Sequence, residues 1–98
     1  MFVYTVKLKI RNSLENEFAE YLLNEHIPDV VSTGCFTDSS LEVDTTNSNE
    51  MIARYVCETE TEFSEYVSKY ANIMRAKVLQ KYPDAIVNAE RNFCRIIS

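Results

Sequence analysis

The stretch FVYTVKLKI, residues 2–10, alternates between apolar side chains and side chains that become charged toward its end. One parity is apolar throughout and consists of Phe2, Tyr4, Val6, Leu8 and Ile10. The other parity consists of Val3, Thr5, Lys7 and Lys9. A period of two predicts a β-strand, here with one well-buried face. Such a face needs a covering layer, so the order of the following elements decides the fold.

A helix is predicted from about Ser13 to His26. Asn12 and Glu15 have the spacing of a capping box, in which two side chains satisfy the free amides at a helix start. Apolar residues then recur at helical spacing, at Leu14, Phe18, Tyr21 and Leu22.

The next segment, NEHIPDVVSTGCF at 24–36, holds the only histidine, one of two prolines and the only glycine. Ile27 precedes a proline and is therefore expected to leave the helical region. Pro28 is expected to begin a further helical turn that runs to Thr33, and Gly34 to lie just past its end. These local roles explain the proline and the glycine, but they do not decide the role of His26.

The rest of the chain alternates strand and helix patterns. The predicted elements are a strand at 35–44, a turn at 46–49, a strand at 51–58, a helix that ends before Tyr82, and a strand at 85–97. Thr59 and Glu62 form a second capping box at the start of that helix. Its predicted buried stripe consists of Phe63, Val67, Tyr70 and Met74, flanked by Tyr66, Ile73 and Val78.

The order strand, helix, strand, strand, helix, strand predicts a single α+β domain over residues 1–98. It has the ferredoxin-like βαββαβ arrangement, in which a four-stranded antiparallel sheet carries two helices on one face. The helix-free face is expected to hold Val3 and Thr5, together with either Ala53, Tyr55 and Cys57 or Ala89 and Phe93. Such an apolar patch predicts that a second copy packs against it. The homodimer would bury roughly 1,200–2,000 Å² in total.

Composition excludes several kinds of partner. The chain has 15 acidic and 10 basic residues and a net charge of −5, which argues against binding nucleic acid or an anionic membrane surface. No stretch is long enough to predict a membrane span. The N-terminal MFVYTVKLKI lacks the apolar run of a signal peptide, and three cysteines without a CxxC motif are typical of reduced thiols. A cytoplasmic protein is expected.

The chain resembles a bacterial family of short uncharacterised domains within the dimeric α/β-barrel (ferredoxin-like) superfamily. The resemblance covers nearly the whole chain and is carried by the signature HIPxVxxxGxF, which is His26 to Phe36 here. Two family aromatics, usually tryptophans, correspond to Phe18 and Tyr21, although this chain has no tryptophan. Two family arginines match Arg75 and Arg91. The family has no assigned activity. The wider superfamily includes monooxygenases, isomerases, haem-degrading enzymes and stress-response proteins.

The candidate site combines these residues in a pocket between the helices and the sheet. His26, Arg75 and Arg91 are expected to supply polar contacts, and Phe18, Tyr21 and Phe36 an apolar wall. The predicted ligand is a small anionic or aromatic molecule. The alternatives are an ordinary C-terminal helix histidine, a surface arginine at Arg75 and a cross-strand ion pair at Arg91.

Two other function classes remain open. One is cofactor-independent catalysis in which His26 acts as the base, with Tyr4 or Tyr55 as its partner. The other is a structural or interaction module, which predicts a filled interior and a solvent-facing His26. No metal and no cofactor are expected, because no chelating pair, glycine-rich loop or carboxylate cluster is visible.

Overall fold

The computed structural model describes all 98 residues. The elements are β1 (Phe2–Ile10), α1 (Glu15–Tyr21), a π-helical turn (Leu22–His26), α2 (Ile27–Ser32), β2 (Asp38–Val43), β3 (Glu50–Cys57), α3 (Glu60–Lys69), α4 (Ala71–Lys81) and β4 (Ile86–Arg95). The four strands form one antiparallel sheet in the order β2-β3-β1-β4. The α+β architecture and the ferredoxin-like strand order are therefore confirmed.

The strand register shows which side chains face the helices. Tyr4 of β1 lies opposite Tyr55 of β3 and Phe93 of β4. Tyr4 and Tyr55 are buried, and the ring of Tyr4 lies 6.1 Å from that of Tyr66 on α3. Residues opposite one another share a face of the sheet. The even-numbered residues of β1 and their partners on β3 and β4 therefore lie beneath the helices.

The predicted composition of the helix-free face is wrong for β3 and β4. The residues expected there, Ala53, Tyr55, Cys57, Ala89 and Phe93, all share the Tyr4 parity and lie on the helix side. The helix-free face instead holds Val3, Thr5, Ile52, Val56 and Cys94, with the charged Lys7, Arg54, Glu42 and Glu90. Parity depends on pairing register, and a shift of one residue exchanges the two faces.

The start of α1 differs from the prediction. Its N-cap is Leu14, and no side chain caps it. Asn12 instead accepts a hydrogen bond from the side-chain amide of Asn49 at 3.2 Å. Ser13 has a φ of 76°, so the chain turns before the helix and carries Asn12 away from the free amides. The capping box at Asn12 and Glu15 was wrong.

The first helical arm, residues 15–32, continues through the proline. Ile27 has helical dihedral angles (φ −61°, ψ −45°), so the prediction that it leaves the helical region was wrong. Its amide donates to the carbonyl of Leu22, five residues back, which is the pattern of a π-turn. We attribute the continuity to this wider turn, since it relaxes the crowding that Pro28 imposes on the preceding residues. Gly34 lies just past the end with a φ of 81°, as predicted.

The second helical arm, residues 60–81, is two helices rather than one. Tyr70 separates them with non-helical dihedral angles (φ −125°, ψ −32°). The buried stripe keeps helical spacing across the break, at Phe63, Tyr66, Met74 and Val78. Val67, which was predicted in this stripe, is 47% exposed. The second capping box is confirmed: the Glu62 amide donates to the Thr59 hydroxyl at 3.2 Å, and the Thr59 amide donates to the Glu62 carboxylate at 3.0 Å.

Candidate functional site

A cavity of about 170 Å³ opens between the two helical arms and the β1–β4 side of the sheet. Its lining residues are Leu8, Phe18, Leu22, His26, Arg75, Val78, Leu79, Ile86, Ala89 and Arg91. A narrower recess of about 40 Å³ continues inward, where it is lined by Tyr4, Tyr55 and Tyr66. We call these spaces the outer chamber and the inner recess. Leu8, Leu22, His26, Arg75 and Arg91 line both, so the three polar side chains lie where the two spaces meet.

His26 ends the π-helical turn and is half-buried. Burial lowers its pKa from the ordinary value of 6.5, and the nearby negative charge of Asp29 opposes this effect. The imidazole is therefore neutral at pH 7 and can accept a proton or a hydrogen bond. No other side chain of the protein hydrogen-bonds to it.

Arg75 reaches the cavity from α4, and Arg91 reaches it from β4, where it lies opposite Val6 on the helix side. Neither guanidinium forms a salt bridge or hydrogen bond within the chain. The four salt bridges of the protein use Arg54, Lys69, Lys77 and Lys81. Two positive charges therefore face one mainly apolar cavity without a carboxylate partner. An ion pair between Arg91 and a glutamate, one of the alternatives, does not form.

The inner recess is ringed by phenols. Burial raises the pKa of Tyr66 to about 12, and the positive charges of Arg75 and Arg91 act in the opposite direction. Burial also raises the pKa of Tyr55. Both phenols remain protonated at neutral pH, so their hydroxyl groups keep a proton to donate.

The predicted apolar wall is only partly at the cavity. Phe18 lines the outer chamber. Tyr21 lies instead against Tyr82, with ring centroids 5.0 Å apart, and beneath the ammonium of Lys81 at 5.2 Å. Phe36 is in the core, 5.2 Å from the ring of Tyr55 and outside the cavity lining. Phe18 and Tyr21 are neighbours on α1, with ring centroids 5.9 Å apart, but only Phe18 reaches the cavity lining.

Sequence reasoning missed most of the apolar lining. Val78 and Tyr66 appeared only as flanking residues, and Ala89 appeared only in one of the two alternatives for the opposite face. The signal for Ala89 was the parity of β4, which depends on pairing register, and the signal for Tyr66 and Val78 was their helical spacing with Met74. Leu79 lies outside the buried stripe of its helix and is 53% exposed, so helical spacing did not indicate it.

The thiols lie apart from this site. Cys35 and Cys57 are buried and Cys94 is exposed, and all three are free. Burial raises the pKa of the Cys57 thiol, so it stays protonated. No group of three or more histidine, cysteine or carboxylate residues could hold a metal ion. None of the helices combines the length and the apolar character that crossing a membrane requires.

Solved structures define the class of this fold. SnoaB, a cofactor-independent oxygenase from Streptomyces nogalater, superposes with a TM-score of 0.77 at 12% identity, over 99% of this chain and 93% of that chain. An uncharacterised NIPSNAP domain protein from Burkholderia xenovorans gives 0.78 at 10% identity, over 100% and 96%. A protein from Agrobacterium tumefaciens gives 0.78 at 16% identity, over 99% and 94%. At these identities the likeness shows the ferredoxin-like fold that monooxygenase-type domains share.

The chain belongs to the family described as a domain of unknown function, DUF4286, which it matches over residues 1–96. The resemblance to an uncharacterised domain family is thereby confirmed. No curated protein matches this sequence.

Proposed function

We propose that the protein binds a small organic anion in the outer chamber, with its charge held by Arg75 and Arg91. The observation that carries this proposal is the absence of any carboxylate partner for either arginine, although the chain has an excess of acidic residues. A guanidinium forms paired hydrogen bonds with a planar carboxylate, and such bonds are stronger where the surroundings are apolar. Neutral His26 can accept a hydrogen bond from a hydroxyl group of the same ligand.

A larger depression of about 320 Å³ does not compete for this role. It is open, and its charged residues already form pairs: Lys81 with Glu25 at 2.7 Å, and Lys77 with Asp29 at 3.9 Å. Its charges are therefore neutralised by the chain itself, whereas those of the cavity are not.

Titration of the ¹⁵N-labelled protein with benzoate, acetate and inorganic phosphate, followed by amide chemical shifts, tests the proposal. We expect shifts around His26, Arg75 and Arg91, and Arg75→Gln or Arg91→Gln should weaken binding about tenfold or more. Arg95→Gln is the matched control, because Arg95 shares the strand and face of Arg91 but does not line the cavity. Equal losses in the Arg91 and Arg95 variants would show only a general charge effect and contradict the proposal.

A second candidate function is cofactor-independent catalysis, favoured by neutral His26, which lines the same recess as Tyr4 and Tyr55. In this function His26 accepts a proton from a bound ligand, and a tyrosine hydroxyl stabilises the resulting anion. The oxygenase activity named for SnoaB supports the idea at the level of the fold alone.

Acetoacetate, a carboxylate with acidic C–H bonds, provides a probe for this second function. The protein should accelerate exchange of these protons in D₂O, as followed by proton NMR, and His26→Ala should abolish the acceleration. Equal exchange with wild type and His26→Ala would exclude His26 as the base.

We also propose that two copies associate through the helix-free face of the sheet. Val3, Val56 and Cys94 make one end of this face apolar. On this face Arg54 pairs with Glu42 at 3.2 Å within one copy, whereas Lys7 and Glu90 form no salt bridge, so a two-fold arrangement can pair Lys7 with Glu90 between copies. The free thiols favour a reducing compartment, which supports the cytoplasm as the location.

A further inference from the structure

The two parts of the cavity differ in size and lining, and the difference constrains what can occupy each. The outer chamber, about 170 Å³, is lined by aliphatic side chains and Phe18. The inner recess, about 40 Å³, is lined by three tyrosines together with Val6, Ala53 and Met74. An apolar cavity of about 150 Å³ accommodates one benzene molecule, and one water molecule takes up about 30 Å³ in the liquid. The outer chamber therefore matches one six-membered ring, whereas the inner recess is too small for a ring.

The position of the charges fixes the orientation of a ligand. Arg75 and Arg91 lie where the chamber and the recess meet, because both residues line both spaces. A ligand whose anionic group contacts them can extend an apolar body only into the outer chamber. Its body then lies against Leu22, Val78 and Ala89, which carry no polar side-chain atoms.

We propose that the ligand is a monocyclic carboxylate: a carboxylate attached to an apolar body the size of one six-membered ring. This inference rests on the proposed function, since it specifies which organic anion the arginines hold. The carboxylate contacts Arg75 and Arg91, and the ring fills the outer chamber. A polycyclic acid does not fit within this volume and leaves part of its ring system in solvent, and an acid without a ring leaves the chamber unfilled.

A size series tests the inference on the full chain. Acetate, benzoate and 9-anthracenecarboxylate carry the same charged group on bodies of increasing size. We expect benzoate to bind at least about tenfold more tightly than acetate, because burial of the ring adds apolar contact. We expect 9-anthracenecarboxylate to bind at least about tenfold more weakly than benzoate. Amide chemical shifts locate each ligand.

The outcomes separate the inference from the proposed function. If acetate or 9-anthracenecarboxylate matches benzoate in affinity, the ligand class is wrong and the anion site stands. If only inorganic phosphate binds and Arg91→Gln abolishes its binding, the ligand class is likewise wrong and the anion site stands. If none of these anions binds, the proposed function fails and the inference fails with it.

Two variants test the location of the ring. Ala89→Leu fills part of the outer chamber and should abolish benzoate binding while acetate binding is retained. Leu79 is 53% exposed, so Leu79→Ala widens the chamber without removing core contacts. This variant should raise the affinity for 9-anthracenecarboxylate relative to benzoate by about fivefold or more. An unchanged ratio would contradict the placement, whether or not Ala89→Leu folds.

Discussion

Gly34 shows how one residue ends the first helical arm. Its φ of 81° is in the left-handed region, and its amide donates to the carbonyl of Val31 at 3.1 Å. No atom lies within 4 Å of the position that a Cβ would take. The cost of a side chain here is therefore conformational rather than steric.

Gly34→Ala should lower the free energy of unfolding by about 1 kcal/mol, because alanine adopts the left-handed region at a cost of that order. Urea unfolding monitored by circular dichroism measures the change. Gly34→Asn should retain more stability than Gly34→Ala, since asparagine tolerates positive φ. Wild-type stability in Gly34→Ala would contradict the conformational argument.

His26 should make stability depend on pH. Burial lowers its pKa in the folded protein below the ordinary value of 6.5, which is the value expected in the unfolded chain. As the pH falls through this value, the unfolded chain binds the proton first and stability decreases. The decrease continues until the pH reaches the lowered folded pKa, and its slope is at most about 1.4 kcal/mol per pH unit for one proton.

The measurement is the free energy of unfolding in urea at several pH values from 7 down to 5. His26→Gln removes the titrating group, so its stability should fall less over this range than that of wild type. Parallel curves for wild type and His26→Gln would show that other groups cause the pH dependence.

At the scale of elements, the two helical arms begin differently. α1 has no side-chain cap, whereas α3 begins with the reciprocal hydrogen bonds of Thr59 and Glu62. Thr59→Ala should therefore destabilise the protein by about 1 kcal/mol. Thr61→Ala is the control, because Thr61 is exposed in the same turn and forms no side-chain hydrogen bond. Similar losses from both changes, measured by urea unfolding, would contradict a capping role for Thr59.

The π-helical turn is the element that shapes the site. It carries Leu22 and His26 to the cavity, which Phe18 of α1 also lines. Such turns are uncommon inside helices and frequently occur at functional sites. The wider turn thus serves both the continuity of the arm through Pro28 and the position of the imidazole.

At the scale of the whole molecule, the sheet has helices on one face only. The other face combines Val3 and Val56, which are half-buried within a single copy, with charged residues of both signs. A second copy can cover the apolar end while its charges pair across the two-fold axis. Association through this face also leaves the cavity, on the helix side, accessible to a ligand.

Val56→Asp should shift the protein from dimer to monomer, because it places an unpaired carboxylate in the proposed interface. Light scattering coupled to size-exclusion chromatography at micromolar concentration reports the change in mass. Val67→Asp on α3 is the control, since Val67 is 47% exposed on the helix side. A monomeric wild type would contradict association through this face.

The sequence determined which elements form and in what order. Alternation in 2–10 and the capping box at Thr59 are local patterns that specified a strand and a helix start without knowledge of their partners. The similar pattern at Asn12 failed, because the turn at Ser13 carries Asn12 away from the helix start. The sequence also provided the polar residues that line the cavity, through the resemblance that matched Arg75 and Arg91 to family positions.

Only the tertiary structure decided the faces and the shape of the site. The side of the sheet on which Tyr55 and Phe93 lie depends on pairing with β1, which no single strand specifies. Likewise, no local sequence pattern indicated the break at Tyr70 or the π-turn before Pro28. The cavity is lined by residues from β1, the first helical arm, α4 and β4. Its lining therefore followed from contacts between elements that are distant in the chain.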